Sequence, residues 1–327
     1  MIIHANCWSI RFLGILAALA SIGTASAQTY PNKPIRIVVP LAAGGTGDTL
    51  GRLAADTLAI AFGQQAVVDN RPGANGIIGT DLVAKATPDG YTLVSASTGN
   101  VAINPALYGT KLPFNAERDL VAITQIATGT SVVIVHPSFA AKTIPELIAA
   151  AKAKPGAINY ASSGVGSAVH LGTALFESMA GIRMTHIVYK GSTPGRVAVL
   201  ASEADLMFDG LLPTLPLIKA GKLRALGVTS IKRSSVLPDV PAISETLPGY
   251  SADTWYGLFA PRGTPREVIV KIHAVMAKAL RTAEVSAKLL AQGAEPAGNA
   301  PEEFAAFLKA EIAKWSKVVR DSGAKPE

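Results

Sequence analysis

Apolar positions along this chain recur with two periods. Short β-branched or alternating runs occupy 35–39 (IRIVV), 66–70, 91–97, 119–128, 131–137, 158–163, 184–189, 204–209, 223–230 and 252–261. Each has the length and composition of a strand. Between them apolar residues return at helical spacing, as in Leu53, Leu58 and Phe62, or Leu171, Leu175 and Met179. Thr143 and Thr264 each precede a Pro in the first turn and a Glu three residues on, which marks two helix starts. The last third reads as helices over 264–281, 284–292 and 301–320. In the last of these Phe304, Leu308, Ile312, Trp315 and Val319 form one stripe that packs on a core.

Strand–helix alternation of this kind predicts an α/β protein with mainly parallel sheets flanked by helices. Ten strands suit two smaller sheets better than one. The long β-rich stretch broken by Gly129 and the strand carrying Trp255 and Tyr256 read as the places where the chain crosses between domains. Residues 28–125 and 255–327 then form domain 1, and residues 126–254 form domain 2. Double crossings of that kind act as hinges.

The first 27 residues stand apart. Positions 12–27 carry no charge, follow Arg11 and end in Ala25-Ser26-Ala27. The apolar part is shorter than the roughly 20 residues of a membrane span, and the small-residue ending is that of a signal peptide cleaved after Ala27. The single cysteine, Cys7, lies inside this leader. A mature chain from Gln28 therefore has no thiol for a disulfide, a metal site or a nucleophile. An exported product in the periplasm follows. Without the leader, 29 Lys and Arg stand against 23 Asp and Glu. The basic residues are scattered, so a nucleic-acid partner is not expected. A mild positive field instead favours small anions.

Candidate chemistry lies where strands run into glycines. After the first strand comes Leu41-Ala42-Ala43-Gly44-Gly45-Thr46-Gly47-Asp48, followed by a helix. The dinucleotide fingerprint fails at its sixth position, where Leu50 stands. The P-loop ending fails too, because Asp48-Thr49 replaces Lys-Ser/Thr. What remains is a helix start whose free N–H groups, from Ala43 to Gly47, face an anion with help from the helix dipole. Asp48 suits a role in fixing the loop. A second such loop runs from Ser162 through Ser163, Gly164 and Ser167 to His170, with hydroxyls added to the backbone donors. Two loops, one per domain, are placed to clamp one dianion across a cleft. Thr98 and Asn100 after the third strand, and Asp209 at the end of the run 204–209, are further candidates. Ser163, His170 and Asp209 contain the parts of a serine hydrolase, but no Gly-x-Ser-x-Gly elbow accompanies them. The histidines at 136, 170, 186 and 273 show no metal spacing. No metal, cofactor or catalytic residue is expected, and the chain does not read as an enzyme.

A series of motifs in one order then carries a resemblance. It comprises Tyr30-Pro31-x-Lys33-Pro34-Ile35-Arg36, Val39-Pro40 with Gly44-Gly45-x-x-Asp48, Asn70-Arg71-Pro72-Gly73-Ala74, Pro88-Asp89-Gly90-Tyr91-Thr92-Leu93 and Asn104-Pro105-x-Leu107-Tyr108. Further on come Asn159-Tyr160-Ala161-Ser162-Ser163-Gly164, Tyr189-Lys190-Gly191, Met207-Phe208-Asp209 and Leu237-Pro238-Asp239-Val240-Pro241. Over essentially the whole mature chain the sequence resembles the Bug-type periplasmic receptors of tripartite tricarboxylate transporters. The resemblance implies a two-lobed Venus-flytrap fold that closes on a small organic carboxylate, and a monomer that delivers it to membrane permease subunits. It also implies that the loops at 41–48 and 162–170 hold a ligand carboxyl, partly through water. The family often has Pro at Ala43, an aromatic at Leu41, Asp at Ala198 and Asn at Gly210. Donors of this kind accept mono-, di- and tricarboxylates, aromatic acids and amino acids alike. A receptor that reports to a sensor kinase would carry the same soluble part, and an exported hydrolase is the remaining alternative.

Overall fold

The computed structural model describes residues 30–291, 293–322 and 324–325. The leader expected over residues 1–27 lies outside them. Residues 30–32 form no helix or strand, and the described residues from Lys33 onward form one compact unit. Its strands are β1 (Ile35–Val39), β2 (Ala66–Asn70), β3 (Thr92–Ser97), β4 (Leu120–Gly129), β5 (Ser131–Val135), β6 (Asn159–Ser162), β7 (Thr185–Val188), β8 (Leu206–Gly210), β9 (Arg224–Val228), β10 (Thr254–Pro261) and β11 (Ala294–Pro296). Its helices are α1 (Thr46–Phe62), α2 (Ile77–Ala84), α3 (Asn104–Tyr108), α4 (Ala116–Asp119), α5 (Ile144–Ala153), α6 (Ala168–Ala180), α7 (Ser192–Leu200), α8 (Leu211–Lys219), α9 (Arg266–Leu280), α10 (Ala283–Leu290) and α11 (Pro301–Ser322).

The strands form two sheets. The first has the order β11-β4-β10-β3-β1-β2 and the second β7-β6-β8-β5-β9. Each has a parallel core made by strand–helix–strand units: β1 pairs in parallel with β2 and β3, and β6 with β7 and β8. The strands at the two crossings join antiparallel, β10 against β3 and β4, and β5 against β8 and β9. A crossing strand arrives without a crossover helix, so nothing constrains it to the parallel sense. The short β11 was not expected from the sequence. It is three residues long and holds Pro296, too little for an alternating pattern to register.

Alternation within strands explains the layers. Val132 and Ile134 of β5 pack with Val199 of α7 and Leu211 and Leu215 of α8 on one face. Val133 and Val135 face Ile144 and Leu147 of α5 and Phe176 of α6 on the other. Both faces of β5 are therefore covered, which is why it reads as a nearly continuous apolar run. In the first sheet Val38, Val94, Trp255 and Phe259 pack against Phe304, Leu308, Trp315 and Val319 of α11. That is the stripe expected from the sequence, with Ile312 packed beside it. The indole N–H groups of Trp255 and Trp315 both donate to the buried Glu311, at 2.8 and 2.9 Å. The crossing strand β10 is thus pinned to the C-terminal helix.

Candidate functional site

The loop between β1 and α1 is shaped by one carboxylate. Asp48 accepts from the Gly44 N–H at 3.0 Å, from Asn70 Nδ2 at 3.0 Å and from Arg52 Nε at 3.1 Å. Asn70 also donates to the Leu41 carbonyl at 3.1 Å. Burial works against the Asp48 carboxylate, but the hydrogen bonds from Gly44, Arg52 and Asn70 outweigh it and hold the group below the ordinary range. The turn needs φ = +79° at Gly44, where a side chain would be strained. Gly45, at the N-cap, supplies no side chain to the first turn of α1. The N–H groups there remain available to a ligand.

The loop between β6 and α6 is shaped by neutral groups. The Ser162 hydroxyl lies 2.5 Å from His186 Nε2 and accepts from the Gly164 N–H at 3.2 Å. His170 Nδ1 accepts from the Gly166 N–H at 3.0 Å, and the Ser167 hydroxyl caps α6 by accepting from His170 N–H. The rings of His170 and His186 stack at 4.2 Å, and His186 stacks on Tyr160 at 4.8 Å. Burial pushes both imidazoles down to about 4, with His186 adding to the effect on His170.

These loops meet across the molecule. Thr193 of α7 donates to the Ala43 carbonyl at 3.0 Å. A Cβ on Gly210, at the end of β8, would strike the Thr46 hydroxyl. Between them lies a chamber of about 50 Å³. Leu41 and Thr46 border it from the first loop, Ser163 and Ser167 from the second. No charged side chain lines it. The cleft continues outward past Leu41, Ser163 and Gly164 into a wider compartment.

The remaining sequence candidates stand behind this surface or form its turns. Ala43, Gly44 and Gly45 build the turn itself. Thr98 accepts from the Trp255 N–H at 2.9 Å and so holds β10. Asn100 accepts from the N–H and the hydroxyl of Ser97 and donates to the Asn75 carbonyl. It is a strut for two residues that do line the chamber. Asp209 is buried, with Arg196 Nε at 2.6 Å and the Gly210 N–H at 2.8 Å. Burial pushes its carboxyl up while Arg196 opposes that. Asp48, Ser162 and His170 are engaged as described above.

Sequence reasoning missed Asn75, Thr130, Ser192, Thr254 and Tyr256, all of which border the chamber. Thr130 follows β4 and Thr254 opens β10, so the crossings that the pattern exposed also supply hydroxyls. Tyr256 offers its phenol to Thr46 from the middle of β10. A larger groove of about 730 Å³ lies elsewhere, between β4, α9 and α11. Its Arg266 is paired with Glu302 at 2.8 Å, and its residues come from the first-sheet side alone.

The two-sheet architecture is that of the two-lobed periplasmic binding proteins. Residues 50–324 match the model of the tripartite tricarboxylate transporter family receptor, and the chain belongs to that family. It is 37% identical over 319 residues to protein BugT of Bordetella pertussis (strain Tohama I), covering 97% of this chain and 98% of BugT. Among solved structures it is similar to R. palustris Rpa4515 with adipate, at TM-score 0.88 and 36% identity, over 91% of this chain and 100% of that one. It is also similar to the periplasmic binding protein BugD, at TM-score 0.86 and 32% identity, over 91% and 100% of the two chains.

Proposed function

We propose that the protein is a periplasmic solute-binding receptor that closes two lobes on a small organic carboxylate and delivers it to a membrane permease. The lobes are residues 28–125 with 255–327, and residues 126–254; residues 1–27 are the export signal. The observation that carries this reading is the convergence of two helix-start loops, one from each sheet, on a single uncharged chamber lined by hydroxyls. Neutral donors and aligned dipoles stabilise a carboxylate without the desolvation cost of a buried ion pair. The adipate bound by a relative of 36% identity agrees with it. In this reading Thr46, Ser163, Ser167 and the first-turn N–H groups touch the ligand. Asp48, Asn100, Ser162, His170 and Asp209 set those groups in place, and no residue acts as a catalyst. Ser162 is fully buried and its hydroxyl is engaged by the half-buried His186, so in this reading it holds the loop and does not act on a substrate.

Thermal unfolding of the mature chain against a panel of carboxylates tests the reading. A ligand that binds only the folded state adds about 2.7 kcal/mol at a hundredfold excess over Kd. One or more acids are expected to raise Tm, while their amides do not. A flat panel after unfolding, dialysis and refolding, which removes any ligand carried from the host, overturns it.

A further inference from the structure

The segment Asn104-Pro105-Ala106-Leu107-Tyr108, one of the motifs that carry the family resemblance, lines no part of the chamber. As α3 it stands instead where the two sides of the cleft come together. Asn104 is fully buried and works inward on the first side. Its Nδ2 donates to the carbonyls of Asn75 at 3.2 Å and Asn100 at 3.3 Å, and its Oδ1 accepts from Asn75 Nδ2 at 2.8 Å. α3 is thereby tied to a residue of the chamber wall.

Leu107, on the same short helix, works outward. A Cβ on Gly166 of the second loop would stand 2.1 Å from Leu107 Cδ2. The leucine methyl thus fills the space that a side chain at 166 would need, and Gly166 also has φ = +73°, where a side chain is strained. The fit is close at a second point, where a Cβ on Gly99 would lie 3.4 Å from the Ala168 nitrogen. From there the contact runs along α6. Ala168, Leu171 and Ala174 recur at intervals of three, which sets them on one face of the helix. Leu171 shares an apolar cluster with Leu107, Trp315 and Val319, and Ala168 and Ala174 pack against it. Phe176 takes the other face of α6 to the second sheet. Leu171 is fully buried and Leu107 nearly so, and neither lines the chamber or the compartment outside it.

We propose that Leu107 is a positioning residue for ligand capture: closing the lobes seats it against Gly166, and that contact sets the second loop opposite the first without touching the ligand. This rests on the reading of the protein as a two-lobed carboxylate receptor. Opening the lobes exposes Leu107 and Leu171 to water, so the seam favours closure whatever acid is bound. Gly166 also donates its N–H to His170 Nδ1 at 3.0 Å, so the residue on which Leu107 rests belongs to the frame of the second loop. A side chain that touches the ligand changes the relative affinities of different acids. A side chain that changes only the closed fraction multiplies every Kd by the same factor.

Calorimetric titration of the mature chain with two acids of unlike size, the two that raise Tm most in the carboxylate panel, tests the proposal. Leu107→Ala is expected to weaken both by the same factor, about tenfold. Leu107→Met, which keeps the volume, should restore most of the loss. Leu107→Val, a smaller change, covers the case of an alanine variant that does not fold, and should weaken both acids equally by a smaller factor. Gly166→Ala should cost less affinity in the Leu107→Ala background than in wild type, because the strain at positive φ is common to both and the collision with Leu107 is not. A leucine with a structural role alone would lower Tm without ligand and leave both Kd values unchanged. That result overturns the proposal, as does additivity of the Leu107 and Gly166 substitutions. Unequal losses for the two acids would put Leu107 within reach of the ligand and overturn it too. If no acid binds the refolded wild type, the carboxylate reading falls and this inference falls with it.

Discussion

The two loops that face each other across the cleft are held by opposite means. At the end of β1 a carboxylate is the hub: Asp48 gathers Gly44, Asn70 and Arg52, and those partners keep it ionised well below neutral pH. At the end of β6 the hub is a stack of neutral rings, with His186 against Ser162 and His170 accepting from Gly166. Both loops keep their fixing groups behind the surface and show the chamber hydroxyls and amides. A ligand anion therefore meets no fixed counter-charge and no fixed like charge in the chamber. The first frame tolerates mild acid. The second requires unprotonated imidazoles, because a protonated His170 Nδ1 has no lone pair for the Gly166 N–H.

The largest expected effect comes from removing the space in which the loops meet. Gly210 has φ −59° and ψ 132°, a backbone that any residue adopts, so a side chain there acts through its bulk alone. Its Cβ would press on Thr46, at the start of α1. Gly210→Val is expected to prop the lobes apart and fill the chamber. At about 1–3 kcal/mol for overpacking, affinity should fall by roughly fivefold to more than a hundredfold. Far-UV circular dichroism should not change. Full affinity in that variant would mean that the two loops do not share one ligand.

Much of this arrangement was readable because strands announce themselves by composition and the glycine loops by position. β1 and β6 end in glycines before amphipathic helices, and the function of such an end follows from unsatisfied N–H groups whatever the fold. The crossing segments stood out because β10 is buried at every position and is apolar or aromatic at nearly all of them. What could not be read was direction. Asp209 and Asn100 are polar residues at strand ends, like Ser163, yet they point to Arg196 and Ser97. Sequence gives the end of a strand but not which way the side chain there turns, since that depends on the partner the fold sets beside it, Arg196 for Asp209 and Ser97 with Asn75 for Asn100. Tyr256 and Thr254 were hidden for the reverse reason: they sit within an apolar strand whose burial is shared between the core and the cleft.

An intermediate effect separates the two hubs by pH. Unfolded histidine takes its proton near 6.5, and the folded His170 and His186 do so at about 4. Between those values the unfolded chain binds more protons, so stability falls as pH falls through that window. Asp253, beside Thr229, works in the opposite sense. Burial raises it from 3.8 to about 6, so it adds stability as pH falls from 6 toward 3.8. The Asp48 contribution is present above 3.8 and is lost only below that, as pH falls through its depressed folded value. Urea midpoints of wild type should drop between pH 6.5 and 4.5, by the equivalent of about 2 kcal/mol with partial exposure discounted. A variant with His170→Gln and His186→Gln should lose that slope and keep the residual rise from Asp253. An unchanged slope in the double variant would mean that the two imidazoles do not carry the acid sensitivity.

The smallest and most discriminating effect concerns two adjacent serines. Ser162 is fully buried and its hydroxyl is engaged by His186 and Gly164, whereas Ser163 borders both the chamber and the outer compartment. Among the described residues the Ser163 hydroxyl takes no part in the hydrogen bonds that hold the loop. Ser162→Ala should therefore cost stability, about 1–3 kcal/mol for leaving buried partners unsatisfied, and lower affinity only as the loop loosens. Ser163→Ala should leave the urea midpoint unchanged and cost about 1 kcal/mol of binding, a fivefold rise in Kd by the usual conversion of about 1.4 kcal/mol per tenfold. The pair is informative because the substitutions are chemically identical and one residue apart. If both move stability and neither moves affinity, the ligand does not reach the second loop, and the clamp is made by the first loop alone.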